Sequence, residues 1–216
     1  MTAAPPGTGS GTGALAFDGS GIDGGLYTRV VGWADAAPPW LDRLAADWSA
    51  YGLVLFAVLT VCGWARARGA GPVLMARALA APFAVVAAYA VNSGLKRVIE
   101  EVRPCRQLPV RATLEGCPVA GDWSFPSNHA VIAFAAAASL WLVHRRLGAA
   151  ALAAAVAMAA SRVWVGVHYP HDVAAGALVG VLVAVPLTLL AGRAEPLVGR
   201  ARGGPFGGLL GAGARA

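Results

Sequence analysis

The chain has 216 residues, 57% of them hydrophobic and only 13% charged, with a mean hydropathy of +0.62. That balance excludes an ordinary water-soluble domain and points to several membrane spans. The formal net charge of +6 does not argue for a nucleic-acid partner, because the arginines lie scattered between apolar runs, as they do at the cytoplasmic ends of spans.

Residues 1–24 are rich in Gly, Ala, Pro, Ser and Thr, show no apolar period, and are expected to form a disordered tail. They contain no basic region followed by an apolar core, so no signal peptide is expected. Residues 25–47 mix aromatic and charged side chains (Tyr27, Arg29, Trp33, Asp35, Trp40, Asp42, Arg43) and are interrupted by Pro38 and Pro39. This pattern predicts short amphipathic helices lying at a membrane interface. Apolar stretches follow near 48–65, 73–95, 128–144, 148–166 and 171–192. A helix needs roughly 20 residues to cross the hydrocarbon core, with about 17 as the short limit. The expected fold is therefore an all-α integral membrane protein, a bundle of five or six transmembrane helices preceded by the interfacial segment. Residues 48–193 form its membrane domain and 194–216 a cytoplasmic tail rich in Gly and Arg. Cys62, inside the first apolar run, reads as a small core residue.

Arginine placement sets the orientation. Arg66 and Arg68, Arg145 and Arg146, and the group Arg193, Arg200, Arg202 and Arg215 all fall on one side of a five-span chain, which the positive-inside rule makes cytoplasmic. The loop 97–127 and the turn 166–170 then face outward, with Trp123, Phe125, Trp164 and Tyr169 at the boundary where amphipathic rings are favoured. In such a loop, Cys105 and Cys117 either close a disulfide, worth about 3 kcal/mol in the chain-entropy model, or remain two thiols.

The unusual polar residues cluster at that outer side. Lys96 is the single lysine among 17 Lys and Arg residues. Arg103 follows seven residues later, on nearly the same face of a continuing helix, and Pro104 disfavours helical geometry at Arg103, so the helix is expected to end there. Alone, the pair reads as a basic helix end snorkelling to the interface. In Pro126-Ser127-Asn128-His129, Ser127 or Asn128 suits an N-cap, and the new helix would turn its free N–H groups and positive dipole end outward, where they can hold phosphate. Alone, this is an ordinary cap. Ser161-Arg162 ends an otherwise apolar span, at a depth where an ionisable group normally has a partner. His168 and Asp172 stand four apart across Pro170, which suits a first helical position. The carboxylate can then hold one imidazole nitrogen and leave the other free to attack. Alone, they read as an interfacial histidine and an N-terminal helix aspartate.

Together these segments read differently. Cations on one rim repel by about 3 kcal/mol per pair at ~5 Å and an effective dielectric near 20. An anion relieves that cost, and phosphate can accept from Lys96, Arg103, Arg162 and helix N–H groups at once. There is no carboxylate cluster of metal-binding type, so neither metal nor cofactor is expected. Glu100 and Glu101 read as solvated or as partners of Arg97. His171 reads as an interfacial polar residue without a role, and His144, beside Arg145 and Arg146, lies away from the site.

The segments Lys96-x6-Arg103-Pro104, Pro126-Ser127-Asn128-His129 and Ser161-Arg162-x5-His168-x3-Asp172 resemble the signature of the type-2 phosphatidic acid phosphatase superfamily, over residues 96 to 172. Asn128 stands where that family usually has glycine. A polar residue there resembles the bacterial undecaprenyl-diphosphatase-like branch and bears on substrate choice rather than on the chemistry. The resemblance implies that His168 attacks phosphorus, with Asp172 orienting it, and that His129 protonates the leaving oxygen and then activates water. It implies that Lys96, Arg103, Ser127, the Asn128 backbone and Arg162 hold the phosphoryl oxygens without a metal. The expected function is a lipid phosphatase of a bacterial-type plasma membrane, with its site facing outward. Its expected partners are the bilayer and a lipid phosphate or diphosphate, first of all undecaprenyl diphosphate. Phosphatidic acid, phosphatidylglycerol phosphate and prenyl-phosphosugars are the alternatives in substrate. Transfer to an acceptor other than water, or lipid-phosphate binding without turnover, are the alternatives in activity.

Overall fold

The computed structural model describes residues 17–108 and 113–211, and every regular element among them is a helix. In chain order these are α1 (Ser20–Asp35), α2 (Pro39–Tyr51), α3 (Leu53–Ala67), α4 (Pro72–Ile99), α5 (Pro104–Gln107), α6 (Asn128–Val143), α7 (Arg145–Trp164), α8 (Pro170–Ala191), the 3₁₀ turn Gly192–Ala194, α9 (Glu195–Arg202) and α10 (Gly207–Leu210). Pro39, Pro72, Pro104 and Pro170 stand in the first turns of their helices, where a missing N–H costs nothing.

The five apolar stretches are all helical. Three helical stretches, Pro72–Gln107, Arg145–Trp164 and Pro170–Arg202, are long and apolar enough to cross a membrane, and α2 with α3, bent by 54°, makes a fourth. The bend divides the stretch expected at 48–65 at Gly52, where a Cβ would lie 2.4 Å from Trp48 O and 2.7 Å from Met158 Cε. At 16 residues, α6 is apolar but falls short of the spanning length. It lies at the centre, packed against α3, α4, α7 and α8, with Ala130, Val131, Ala133, Ala135, Ala136, Ala137 and Leu140 buried. Outward, Val54, Val58, Val61, Phe83, Val86, Leu178 and Leu182 are exposed. Apolar surface on that scale belongs in lipid, and the bundle is that of a multi-pass membrane protein.

Small residues bring α8 against α6. A Cβ at Gly176 would lie 2.6 Å from Ser127 O, and one at Gly180 would lie 2.6 Å from Val131 O. The same seam continues through Ala184 to Thr188, whose Oγ1 is 3.1 Å from Ser139 Oγ. This Gly-x-x-x-Gly approach is what lets backbones touch where lipid supplies no hydrophobic drive, and it seats the N-terminus of α8 beside that of α6. Gly176→Leu is therefore expected to destabilise the bundle by about 1–3 kcal/mol through overpacking. Leucine at Gly25, where an added Cβ would have nothing within 4 Å, should leave thermal unfolding in detergent unchanged.

Four expectations are corrected. The tail expected at 1–24 gives way to helix at Ser20, because this end of α1 packs onto the rest of the bundle, with Gly24 against Leu108; residues 1–16 lie outside the described residues. The tail expected at 194–216 contains α9 and α10, packed on the arginine-rich end of the bundle. There Arg202 donates to Leu210 O (3.0 Å), Ala70 O (2.8 Å) and Ala67 O (3.2 Å), while Val198 and Leu210 are buried; residues 212–216 lie outside the described residues. Cys62, expected in the core, is exposed, on the lipid-directed side of α3. Finally, α4 ends at Ile99, four residues before Arg103, because Glu100 adopts a left-handed conformation (φ 52°) that breaks the helix. The break expected at Pro38 and Pro39 does separate α1 from α2.

Candidate active site

One end of the bundle gathers the C-terminal ends of α4 and α7, the N-terminal ends of α6 and α8, and the loops between them. Lys96 arrives on the last turn of α4. Arg103, extended (φ −66°, ψ 143°) as Pro104 requires, caps α5. Lys96 and Arg103 thus meet across the break at Glu100 rather than along one continuous helix. Both approach the same carboxylate: Asp122 Oδ1 is 3.0 Å from Arg103 Nη2 and 3.8 Å from Lys96 Nζ. Lys96 also donates to Trp123 O, and Arg103 Nε donates to Asp122 O at 2.9 Å.

His168 lies in the turn between α7 and α8 and is 2% exposed. Arg103 Nη1 donates to Val167 O (2.9 Å) and faces His168 Nε2 at 3.2 Å. A guanidinium can only donate, so Nε2 presents its lone pair and the ring proton sits on Nδ1, 3.1 Å from Asp172 Oδ2. Burial, and then the charges of Arg103, Arg162 and Lys96, hold the imidazole well below its ordinary pKa. The ring is therefore neutral with an unprotonated nitrogen directed at the cations.

Asp172 is fully buried at the third position of α8. Its Oδ2 accepts from His168 Nδ1, from Tyr169 N (2.8 Å) and from Ser124 Oγ. Its carbonyl accepts from Ser127 N at 3.0 Å, a direct link between the starts of α8 and α6. Ser127 is the N-cap of α6, as expected for that position, yet its hydroxyl does not cap: Oγ is buried without a hydrogen-bond partner. Asn128 directs its Oδ1 to Asn92 Nδ2 (2.7 Å), which also donates to Pro126 O (3.1 Å). That buried amide fixes the Pro126–Asn128 segment against α4. His129, in the first turn of α6, lies within Coulombic range of Arg162, Glu115, Arg103, Lys96 and His168.

Arg162 closes the group from the end of α7, 6% exposed. Its Nη1 lies 3.0 Å from both Glu115 oxygens and donates to Ser49 Oγ on α2. Its neighbour Ser161 donates instead to Met158 O at 2.8 Å, within its own helix. Glu115 is tethered nearby, because Cys105 and Cys117 form a disulfide with Cα atoms 6.0 Å apart.

The predicted residues thus converge, and the structure adds others. Asp122, Glu115 and Ser124 come from a loop without periodicity and carry no sequence signal. Asn92 and Ser49, polar residues in or beside apolar runs, do carry one. Two readings are corrected. Glu101, expected to be solvated or paired with Arg97, is fully buried and its Oε1 is 2.9 Å from His171 Nε2. His171, read as a residue without a role, lies among Asp23, Glu101 and Asp172. Ligand atoms of Glu101, His171 and Asp172 all fall within 4.8 Å of one another, the one grouping of metal-ligand type among the described residues. Here, however, the imidazole nitrogen itself serves as the partner of the carboxylates.

The PAP2 superfamily model matches residues 77–195, over half of the chain and all of the site motifs. The chain belongs to the PAP2 superfamily. Among PAP2-related proteins, the bacitracin transport permease protein BcrC of Bacillus licheniformis is 50% identical over 64 residues, 30% of this chain and 32% of that protein. The undecaprenyl-diphosphatase of Sulfolobus acidocaldarius is 36% identical over 96 residues, 44% of this chain and 46% of that one. The undecaprenyl-diphosphatase BcrC of Bacillus subtilis is 27% identical over 143 residues, 66% and 71%. The matches to the first two thus span less than half of those proteins. Aquifex aeolicus LpxE has the same PAP2 fold at a TM-score of 0.58 and 24% identity, over 77% of this chain and 94% of that one. A transmembrane PAP2-type phosphatidylglycerolphosphate phosphatase from Bacillus subtilis matches at 0.53 and 21%, over 81% and 86%.

Proposed function

We propose that the protein is a membrane lipid phosphatase that cleaves an isoprenoid diphosphate of the undecaprenyl type through a phosphohistidine at His168, on the outer face of the membrane. The observation that carries this reading is the buried imidazole, oriented by Asp172 at 3.1 Å and facing Arg103 with its free nitrogen at 3.2 Å.

The Nε2 lone pair attacks the terminal phosphorus, an N–P bond forms and the bond to the bridging oxygen breaks. His129 gives its proton to that oxygen, and the lipid monophosphate leaves. Water then attacks phosphorus, passing a proton to His129, and the N–P bond breaks to release inorganic phosphate and the neutral imidazole. Arg103, Arg162 and Lys96 donate to the phosphoryl oxygens in place of the Asp122 and Glu115 carboxylates they hold now. The Ser127 hydroxyl and the first N–H groups of α6, including that of Asn128, add donors at the positive end of the helix dipole. No step calls for a metal.

A groove of about 620 Å³ runs between α3, α4 and α6, lined by Leu53, Phe56, Val61, Phe83, Val86 and Ile132, and apolar walls of this kind suit an extended hydrocarbon. Two relatives bear the name undecaprenyl-diphosphatase, which supports an isoprenoid tail over a diacyl one. The outward orientation rests on Arg66, Arg68, Arg145, Arg146, Arg193, Arg200 and Arg202, all at the end of the bundle opposite His168. The fold on this reading is a five-span bundle with α1 and the start of α2 at the interface.

The test is phosphate release by the purified protein in detergent, without added acceptor, from undecaprenyl diphosphate, phosphatidic acid and phosphatidylglycerol phosphate. The isoprenoid diphosphate is expected to give the highest kcat/KM. A preference for a diacyl substrate would overturn the substrate assignment, and turnover only with an alcohol acceptor would make the protein a phosphotransferase.

A further inference from the structure

The ring of His171 is held on both edges. Asp23 of α1 receives its backbone N–H at Oδ2 (2.7 Å) and faces its Nδ1 with Oδ1 (2.7 Å). On the other edge, Nε2 is 2.9 Å from Glu101 Oε1 and 3.5 Å from Asp172 Oδ1. A neutral imidazole has one N–H, so one of these short contacts would set a nitrogen lone pair against a carboxylate oxygen. Two protons on the ring satisfy both. Glu101 and Asp172 are each 0% exposed, and Glu101 Oε2 and Asp172 Oδ1 have no hydrogen-bond partner. Two buried carboxyls this close need a shared proton or a cation between them, and the doubly protonated ring supplies the cation.

The N-terminal segment is shaped for the contact. A Cβ at Gly19 would lie 1.9 Å from Glu101 Oε1 and 3.0 Å from His171 Cε1, so a larger residue there would displace the Glu101 carboxylate from the pair. Asp23 breaks the helical geometry of α1 (φ −146°, ψ 24°) and turns its carboxylate toward the start of α8. Phe17 O accepts from Val102 N (3.1 Å), and Tyr27 donates to Gly166 O (2.8 Å) in the turn before His168. None of α1 lies within the residues 77–195 that match the superfamily.

We propose that His171 is a positioning residue: an imidazolium clamped by Asp23, Glu101 and Asp172 that keeps Asp172 charged beside Glu101 and fastens α1 to the turn carrying His168. The assignment rests on the roles of His168 and Asp172 given above. Around the clamp, Asp23, Glu101 and Asp172 face His171 directly, and Tyr169 and Phe125 flank its ring. Beyond Asp172, His168 meets Arg103, with Arg162, Lys96 and His129 in range.

The sign of the effect separates electrostatics from packing. Turnover needs Asp172 ionised and His168 unprotonated. Removing a cation beside Asp172 makes its ionisation harder, so His171→Gln should move the acid limb of the kcat/KM profile to higher pH by about one unit. Removing the anion in Glu101→Gln should move it to lower pH, and the double variant should return toward the wild-type limb. Lost packing would lower the profile without moving it. The measurement is kcat/KM against pH on undecaprenyl diphosphate for wild type, H171Q, E101Q and H171Q/E101Q, with H168A as the zero. A wild type without turnover, or an H168A variant that keeps it, strikes the phosphatase reading. Coincident limbs in otherwise active variants, or shifts of the same sign in H171Q and E101Q, overturn the clamp alone. Nitrogen NMR of labelled histidine, assigned by the H171Q spectrum, reads the ring whatever the activity. Two protonated nitrogens on His171 at neutral pH are expected, and an unprotonated one overturns the proposal.

Discussion

Replacing His168 with alanine is expected to abolish turnover while leaving the bundle folded. Arg103 keeps Val167 O, Asp122 O and Asp122 Oδ1 as acceptors when the imidazole is gone, and Asp172 keeps Tyr169 N and Ser124 Oγ as donors. The loss in kcat should be on the order of 10⁵–10⁶, as when the nucleophile of another covalent enzyme is deleted. The decisive measurement is rapid quenching with substrate labelled in its terminal phosphoryl group. Wild-type protein should carry acid-labile, alkali-stable label, the signature of an N–P bond, and the alanine variant should carry none. A wild type that turns over with no labelled protein at any quench time would mean that water attacks phosphorus directly and that His168 serves as a base.

Much of this site was legible because charge is scarce in the chain. With 13% charged residues, each ion in or beside an apolar run needs a reason, and Lys96, Arg103, Arg162, His168 and Asp172 supplied one another's. The helical stretches were legible for the same cause, since lipid allows the backbone few other ways to satisfy itself. What stayed hidden was set by tertiary contact. Glu100 and Glu101 look equivalent in sequence, and only the helix break at Glu100 goes with Glu101 turning inward to His171. Asp23 sits in a glycine-rich stretch whose composition suggests disorder, yet its carboxylate is used by a helix 148 residues away. Ser124 and Asp122 occupy a loop, where no period marks which side chains return to the core. Asn92 was the readable exception: a buried amide within an apolar span asks for a partner, and Asn128, the departure from the family pattern, is that partner. The polar residue at 128 therefore has a structural use on this protein's own terms, as the tie between α6 and α4.

Asp172→Asn should be nearly as damaging as loss of the nucleophile, for a different reason. The carboxylate oxygen Oδ2 accepts three hydrogen bonds, from His168 Nδ1, Tyr169 N and Ser124 Oγ. An amide keeps the shape but offers one carbonyl oxygen and an NH₂. A carbonyl oxygen at the Oδ2 position still accepts from all three donors, but it carries no negative charge, and the NH₂ left at Oδ1 faces His171 Nε2 instead (3.5 Å). The imidazole becomes cationic when Nε2 bonds to phosphorus, and a neutral amide no longer offsets that charge. Asparagine in place of the aspartate that orients a catalytic histidine costs about 10⁴-fold in kcat in a serine protease. The fall should appear in kcat with little change in KM, because Arg103, Arg162 and Lys96 still hold the phosphoryl group. Steady-state kinetics on undecaprenyl diphosphate separates the two parameters. A loss confined to KM would move Asp172 from orienting the nucleophile to shaping the binding site, and would leave the tautomer of His168 to be set by Arg103 alone.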